Sequence, residues 1–190
     1  MKTFRQNFEE DYTAVKEPCD NKRGFKVRYV YVGLWYGWDI GREELKRWKR
    51  RLPALCAVSI CLLLLGGVIN SPLNYAALVQ IPAMLGLAAA VFEAFGVGQF
   101  CAAGERLERQ DFEDIDVKLR AAPALHGGLL GVACAAGLLE AIRKGGGWPD
   151  ACVSLCFGLS AVLAFLTWRG YSRLPRKKVK NEDSDAPLTH

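Results

Sequence analysis

Apolar and polar positions in this chain alternate on a scale far longer than a helical turn. Runs at 52–69, 75–100, 121–142 and 151–168 are almost free of charge, and short polar stretches separate them. A hydrocarbon core about 30 Å thick takes roughly 20 helical residues to cross at 1.5 Å each, and every run comes close to that length or passes it. The pattern predicts an all-α membrane fold, a bundle of four transmembrane helices. It divides the chain into an N-terminal segment at 1–51, a membrane domain at 52–168 and a basic tail at 169–190.

The N-terminal segment changes period. Lys26 to Val32 is dense in β-formers, Gly33 punctuates it, and Leu34 to Trp38 continues the aromatic character, so a small β-hairpin or extended pair is expected over 26–38. Tyr29, Tyr31, Trp35, Tyr36 and Trp38 are costly to leave in water, which makes them a candidate interaction surface. Asp39 can cap a helix beginning near Gly41, in which Leu45, Trp48 and Leu52 share one face. The rest of that helix is basic, the composition of an amphipathic interfacial helix, with Arg42, Lys46, Arg47, Lys49, Arg50 and Arg51 as candidate contacts to an anionic inner leaflet. Pro53 is placed to start the first span at a new angle, and Ala122-Pro123 repeats the device before the third.

Between the second and third spans, Phe112, Ile115 and Leu119 recur at helical spacing among charges, predicting a second surface helix. Its acidic residues Glu113, Asp114 and Asp116 could dock on the basic helix. The connector at 70–74 leaves room only for a tight helical hairpin, while 1–22 and 177–190 lack periodicity and are expected to be loosely ordered.

A net charge of +5 would suggest nucleic acid in a soluble protein. Here the Lys and Arg residues gather at span ends, where they act as orientation signals, and nucleic acid is not expected as a partner. Clusters before the first span and after the fourth place both termini in the cytoplasm of a multi-pass plasma-membrane protein. The start lacks a basic-then-apolar leader, so the first span is expected to serve as an uncleaved insertion signal. Tyr75 and Trp148 fall at the expected outer interface, and Trp48, Trp168 and Tyr171 at the inner one.

Seven cysteines, Cys19, Cys56, Cys61, Cys101, Cys134, Cys152 and Cys156, are an odd set with none in the outer loops, which speaks against a disulfide framework. Cys152 and Cys156 share a helical face but lack further ligands, so neither a metal nor another cofactor is expected. Phosphate-cradling, zinc-protease and serine-hydrolase signatures are missing, so the chain is not expected to be an enzyme.

Glu93 is the most conspicuous candidate, because a carboxylate inside a span costs roughly 2.5 kcal/mol or more unless paired, protonated or hydrated. It shares a face with Gly86, Ala89, Ala90 and Gly96, small residues that let another helix approach. The second and third spans run in opposite directions, which puts His126 at the depth of Glu93. A pair of this kind can pass or hold a proton, or serve as a hydrogen bond that locks two spans. Glu140 and Arg143 read as an interfacial i, i+3 pair.

An aromatic segment ending in Trp-Asp, a basic helix, four spans and an inner Asp-Phe-Glu-Asp-Ile loop together resemble small four-span bacterial membrane proteins of no assigned function. That resemblance implies no activity, cofactor or catalytic residue. Expected partners are the lipid bilayer and either a membrane-protein partner or a second copy. The expected role is an interaction or regulatory subunit of a membrane assembly; the alternative is a small transporter, or a component of one, with Glu93 and His126 as its polar couple.

Overall fold

The computed structural model describes residues 11–18 and 25–179. In chain order they form β1 (Tyr12–Pro18), β2 (Phe25–Tyr31), β3 (Trp35–Trp38), α1 (Arg42–Val68), a 3-10 turn (Pro72–Tyr75), α2 (Ala77–Ala102), α3 (Arg109–Lys144), α4 (Trp148–Ser172) and β4 (Arg176–Val179). Two compact units result. One draws on the described residues up to Asp39, on Gly104–Glu113 and on the described residues from Arg176; the other holds Ile40–Ala103 and Asp114–Pro175.

In the second unit, α1 to α4 are long and apolar enough to cross a membrane, yet only 22–33 % of each apolar window is buried inside the chain. Leu78, Ile81, Phe92, Phe95, Leu139 and Val162 all face outward. Water would not tolerate such a belt, whereas hydrocarbon is its natural solvent. The chain is a multi-pass helical membrane protein.

Inside, Leu63, Val79, Leu130, Ala133, Val153 and Phe157 form the core. Ser59 and Ser160 tie α1 to α4 reciprocally: Ser59 Oγ donates to the Ser160 carbonyl at 2.9 Å, and Ser160 Oγ to the Ser59 carbonyl at 2.7 Å. At Gly127 of α3 an added Cβ would lie 3.1 Å from the Ala161 carbonyl oxygen, tighter than ordinary contact, so glycine favours this close backbone approach.

The α1–α2 connection is the expected tight hairpin, and its polar groups are accounted for. Asn74 Nδ2 donates to the carbonyls of Gly66 at 3.0 Å and Ile69 at 2.8 Å, satisfying acceptors that the end of α1 leaves open. Ser71 Oγ accepts from Leu73 N at 3.1 Å and donates to buried Asp150 Oδ1 at 2.5 Å, while Asp150 Oδ2 accepts from Gly147 N at 3.1 Å at the start of α4.

The predicted surface helices do not exist as separate elements. Residues 42–51 are the first turns of α1, which runs through Pro53 and has Gly41 rather than Asp39 as its N-cap. Pro53 has no N–H to give to the Lys49 carbonyl, and Cys101 Sγ on α2 donates to that carbonyl instead, at 3.3 Å. Lys49 Nζ in turn donates to the Ala103 carbonyl just beyond α2. The 112–119 stretch likewise merges with the third span in α3, through Pro123. Its acids are paired one turn along their own helix: Arg109 with Glu113 at 2.9 Å, Lys118 with Asp114 at 2.6 Å, and Arg120 with Asp116 at 3.3 Å. Glu140 pairs with Lys144 at 2.6 Å, one residue beyond the expected Arg143. Tyr171, expected at an interface, is buried, set edge-on to Phe100 and donating to Asp116 Oδ1 at 3.3 Å.

In the first unit an N-terminal hairpin is present, with strands other than those expected. β2 pairs antiparallel with β1, from Tyr12↔Tyr31 to Pro18↔Phe25, and β3 pairs with β4, from Trp35↔Val179 to Trp38↔Arg176. The stretches 26–32 and 34–38 therefore do not pair with each other. Their partners come from 12–18 and 176–179, largely residues expected to be loose, because pairing rewards a non-local match that local composition does not register. The rest of those tails, with Cys19, lies outside the described residues. Leu107 joins β3 through two backbone hydrogen bonds with Tyr36, both 2.9 Å. Beside it the Glu105 carbonyl comes within 2.7 Å of where a Cβ on Gly37 would sit.

A buried carboxylate–imidazole pair between two spans

Small residues on α2 build the site. Added Cβ atoms would come within 2.9 Å of Leu130 at Gly86 and within 2.9 Å of Lys118 at Gly96, so α3 lies tightly against this face on either side of Glu93. That closeness lets two short-reaching side chains meet: His126 Nδ1 lies 2.6 Å from Glu93 Oε2, and both residues are fully buried. Glu93 is nine residues, about 14 Å of helix, from the Ala102 end of α2, well inside the apolar span.

Only half of each group is satisfied. Glu93 Oε1 and His126 Nε2 have no hydrogen-bond partner among the described residues, and Ser154 Oγ on α4 is the third such buried atom. With one proton between them, Glu93 and His126 are neutral overall, whether written as acid and imidazole or as carboxylate and imidazolium. Without it they carry one uncompensated negative charge, which a dry interior penalises heavily. The site therefore accommodates one positive charge and resists having none.

Cys56 on α1 is buried. It also lines a cleft of about 400 Å³ between α1 and α2, with Pro53, Ala57, Ile60, Ala94, Val97, Gly98 and Cys101. Among the described residues no three of His, Cys, Asp and Glu gather as metal ligands would. Cys152 and Cys156 remain thiols, the latter buried.

The other candidate residues are dispersed. Within the first unit Tyr31 stands edge-on between Tyr12 and Trp35, and Tyr36 and Trp38 pack on buried Phe112 at 5.7 and 5.4 Å. Tyr31 OH donates to the Leu34 carbonyl at 2.7 Å and accepts from Arg109 N at 3.1 Å, the first amide of α3. Tyr29 remains exposed on the hairpin with Phe25 and Val27. Of the basic set, Lys46 pairs with Glu43 at 2.8 Å and Lys49 closes the end of α2. Arg42, Arg47 and Arg51 border an open hollow with Trp48, Glu43 and Glu44, and Arg50 is exposed.

Sequence reasoning did not anticipate the Ser71–Asp150 contact or the Ser59–Ser160 pair. The usable signal for the first was Ser-Pro and Trp-Pro-Asp at the starts of two elements, an N-cap pattern on both sides of the same membrane face. Compared with known protein families, curated proteins and solved structures, the chain matches none, so the site stands on its own geometry.

Proposed function

We propose that the protein is a small proton-linked transporter, or the membrane component of one, in which Glu93 and His126 together hold the coupling proton. The observation that carries this reading is the fully buried 2.6 Å contact with one unpartnered atom on each side of it. A purely structural interhelical tie leaves no buried atom over, as the reciprocal Ser59 and Ser160 bonds show. An ionisable couple with spare valences, placed deep in a span, is the arrangement that proton relays use. The Lys and Arg clusters flanking the first and last spans support cytoplasmic termini in a plasma membrane.

Imidazole-15N magic-angle-spinning NMR of the full chain in lipid bilayers tests the reading. A proton carrier shows His126 changing protonation state between pH 5 and 9, with a displaced titration in Glu93→Gln, which keeps a hydrogen-bonding oxygen and should fold. A His126 signal that stays in one state throughout this range would reduce the pair to a lock between helices.

Membership of a larger assembly is the second reading. It is supported by the outward apolar face of the hairpin, where Phe25, Val27 and Tyr29 are 39, 43 and 58 % exposed. Capture of a stoichiometric membrane partner, lost when 25–31 is deleted, would favour it.

A further inference from the structure

We infer that the cleft between α1 and α2 is a lateral entry for a hydrophobic monovalent cation, such as a protonated lipophilic amine or an onium ion, that replaces the coupling proton at Glu93. The inference rests on the proton-carrier reading of Glu93 and His126. Three features of the structure converge on it.

The cleft borders the helix that carries the carboxylate. Val97 is buried, lines the cleft and stands one turn from Glu93 on the same face of α2, while buried Cys56 lines it from α1. Cys56 and Val97 are the buried members of its lining. Its outer rim, Ala57, Ala94 and Gly98, is exposed in the apolar stretch of both helices, so the cleft opens to hydrocarbon rather than to water.

The lining selects the body of the ligand. Pro, Cys, Ala, Ile, Val and Gly side chains offer no charge, and about 400 Å³ holds a compact ligand of drug size. Whatever enters must be content in hydrocarbon.

The couple selects the head. Glu93 and His126 are neutral with one proton and anionic without it, and Glu93 Oε1 has no partner. A single positive charge arriving from the cleft restores neutrality as the proton does, so cation and proton exclude one another. Charge balances at every stage: the protonated pair and the cation-loaded pair are both neutral, and one proton leaves for each monovalent cation bound.

The test uses methyltriphenylphosphonium, a hydrophobic cation with no proton of its own, and the full chain in nanodiscs of neutral lipid. Binding should strengthen with pH across the range in which His126 titrates, approaching tenfold per pH unit, because one proton is released per cation. Glu93→Gln should abolish it. Gly98→Phe should also abolish it while leaving the His126 titration in place; nothing lies within 4 Å of an added Cβ at Gly98, so the ring fills the cleft without unfolding the helix. If His126 titrates but the cation fails to bind, or binds equally well to Gly98→Phe, the lateral entry is wrong and the proton site survives. If His126 does not titrate, the underlying reading is wrong and pH-dependent binding should also be missing. Binding that is independent of pH and of both substitutions is partition into lipid and overturns the inference.

Discussion

Glu93 and His126 are sealed from solvent, so each depends on the other for its hydrogen bond. Glu93→Ala strands the imidazole in an apolar interior and should cost about 1–3 kcal/mol, read as a lowered unfolding midpoint in detergent; Glu93→Gln should cost less because an acceptor oxygen remains. Asp150 poses a related problem, since its Oδ1 relies on Ser71. Ser71→Ala should therefore destabilise by about 1.5–3 kcal/mol, the range for a hydrogen bond to a charged group. The two sites differed in legibility for a physical reason. Glu93 stands out in the sequence because any carboxylate within a span demands compensation. Ser71 and Asp150 each look like an ordinary cap, and only folding shows that they bond to each other although 79 positions apart.

At the scale of elements, glycine spacing says that a helix can be approached but not which glycines are used. Gly127 and Gly131 both lie on α3, yet an added Cβ meets the Ala161 carbonyl at 3.1 Å in the first case and nothing within 4 Å in the second. Gly127→Leu should therefore lose about 1–3 kcal/mol from overpacking against backbone that cannot yield, whereas Gly131→Leu should leave the melting midpoint within experimental scatter. Proline shows the opposite limitation. Pro53 and Pro123 were natural breakpoints by local rule, but α1 and α3 run through both. In α1 the carbonyl released by Pro53 finds the Cys101 thiol on a neighbouring helix, a compensation that no local rule can foresee.

At the scale of the whole molecule, the first unit is assembled from three separated parts of the chain, and two measurements probe it. Tyr12 OH donates to Glu108, and that bond, with burial and the Glu108 charge beside it, pushes the phenol from the ordinary 10.0 to about 12. Because the folded value is raised, the bond contributes fully below pH 10 and its contribution fades as pH rises from 10 to 12. Spectrophotometric titration should show a late tyrosine component that shrinks in Tyr12→Phe, with the near-ultraviolet circular dichroism of the aromatic cluster weakening in the same window. Truncation after Pro175 removes β4 and should unprotect the Trp35–Trp38 amides that face it in hydrogen exchange, while leaving the amides of α1 to α4 unchanged. The sequence by itself determined the four helices and the burial of Glu93, because the bilayer imposes span length and charge cost residue by residue. Only the tertiary structure decided which strands pair, where α1 and α3 begin, how the Lys49 carbonyl is satisfied and which atoms of Glu93 and His126 meet. Each of these is a contact between distant parts of the chain, and its energy exists only once both partners are in place.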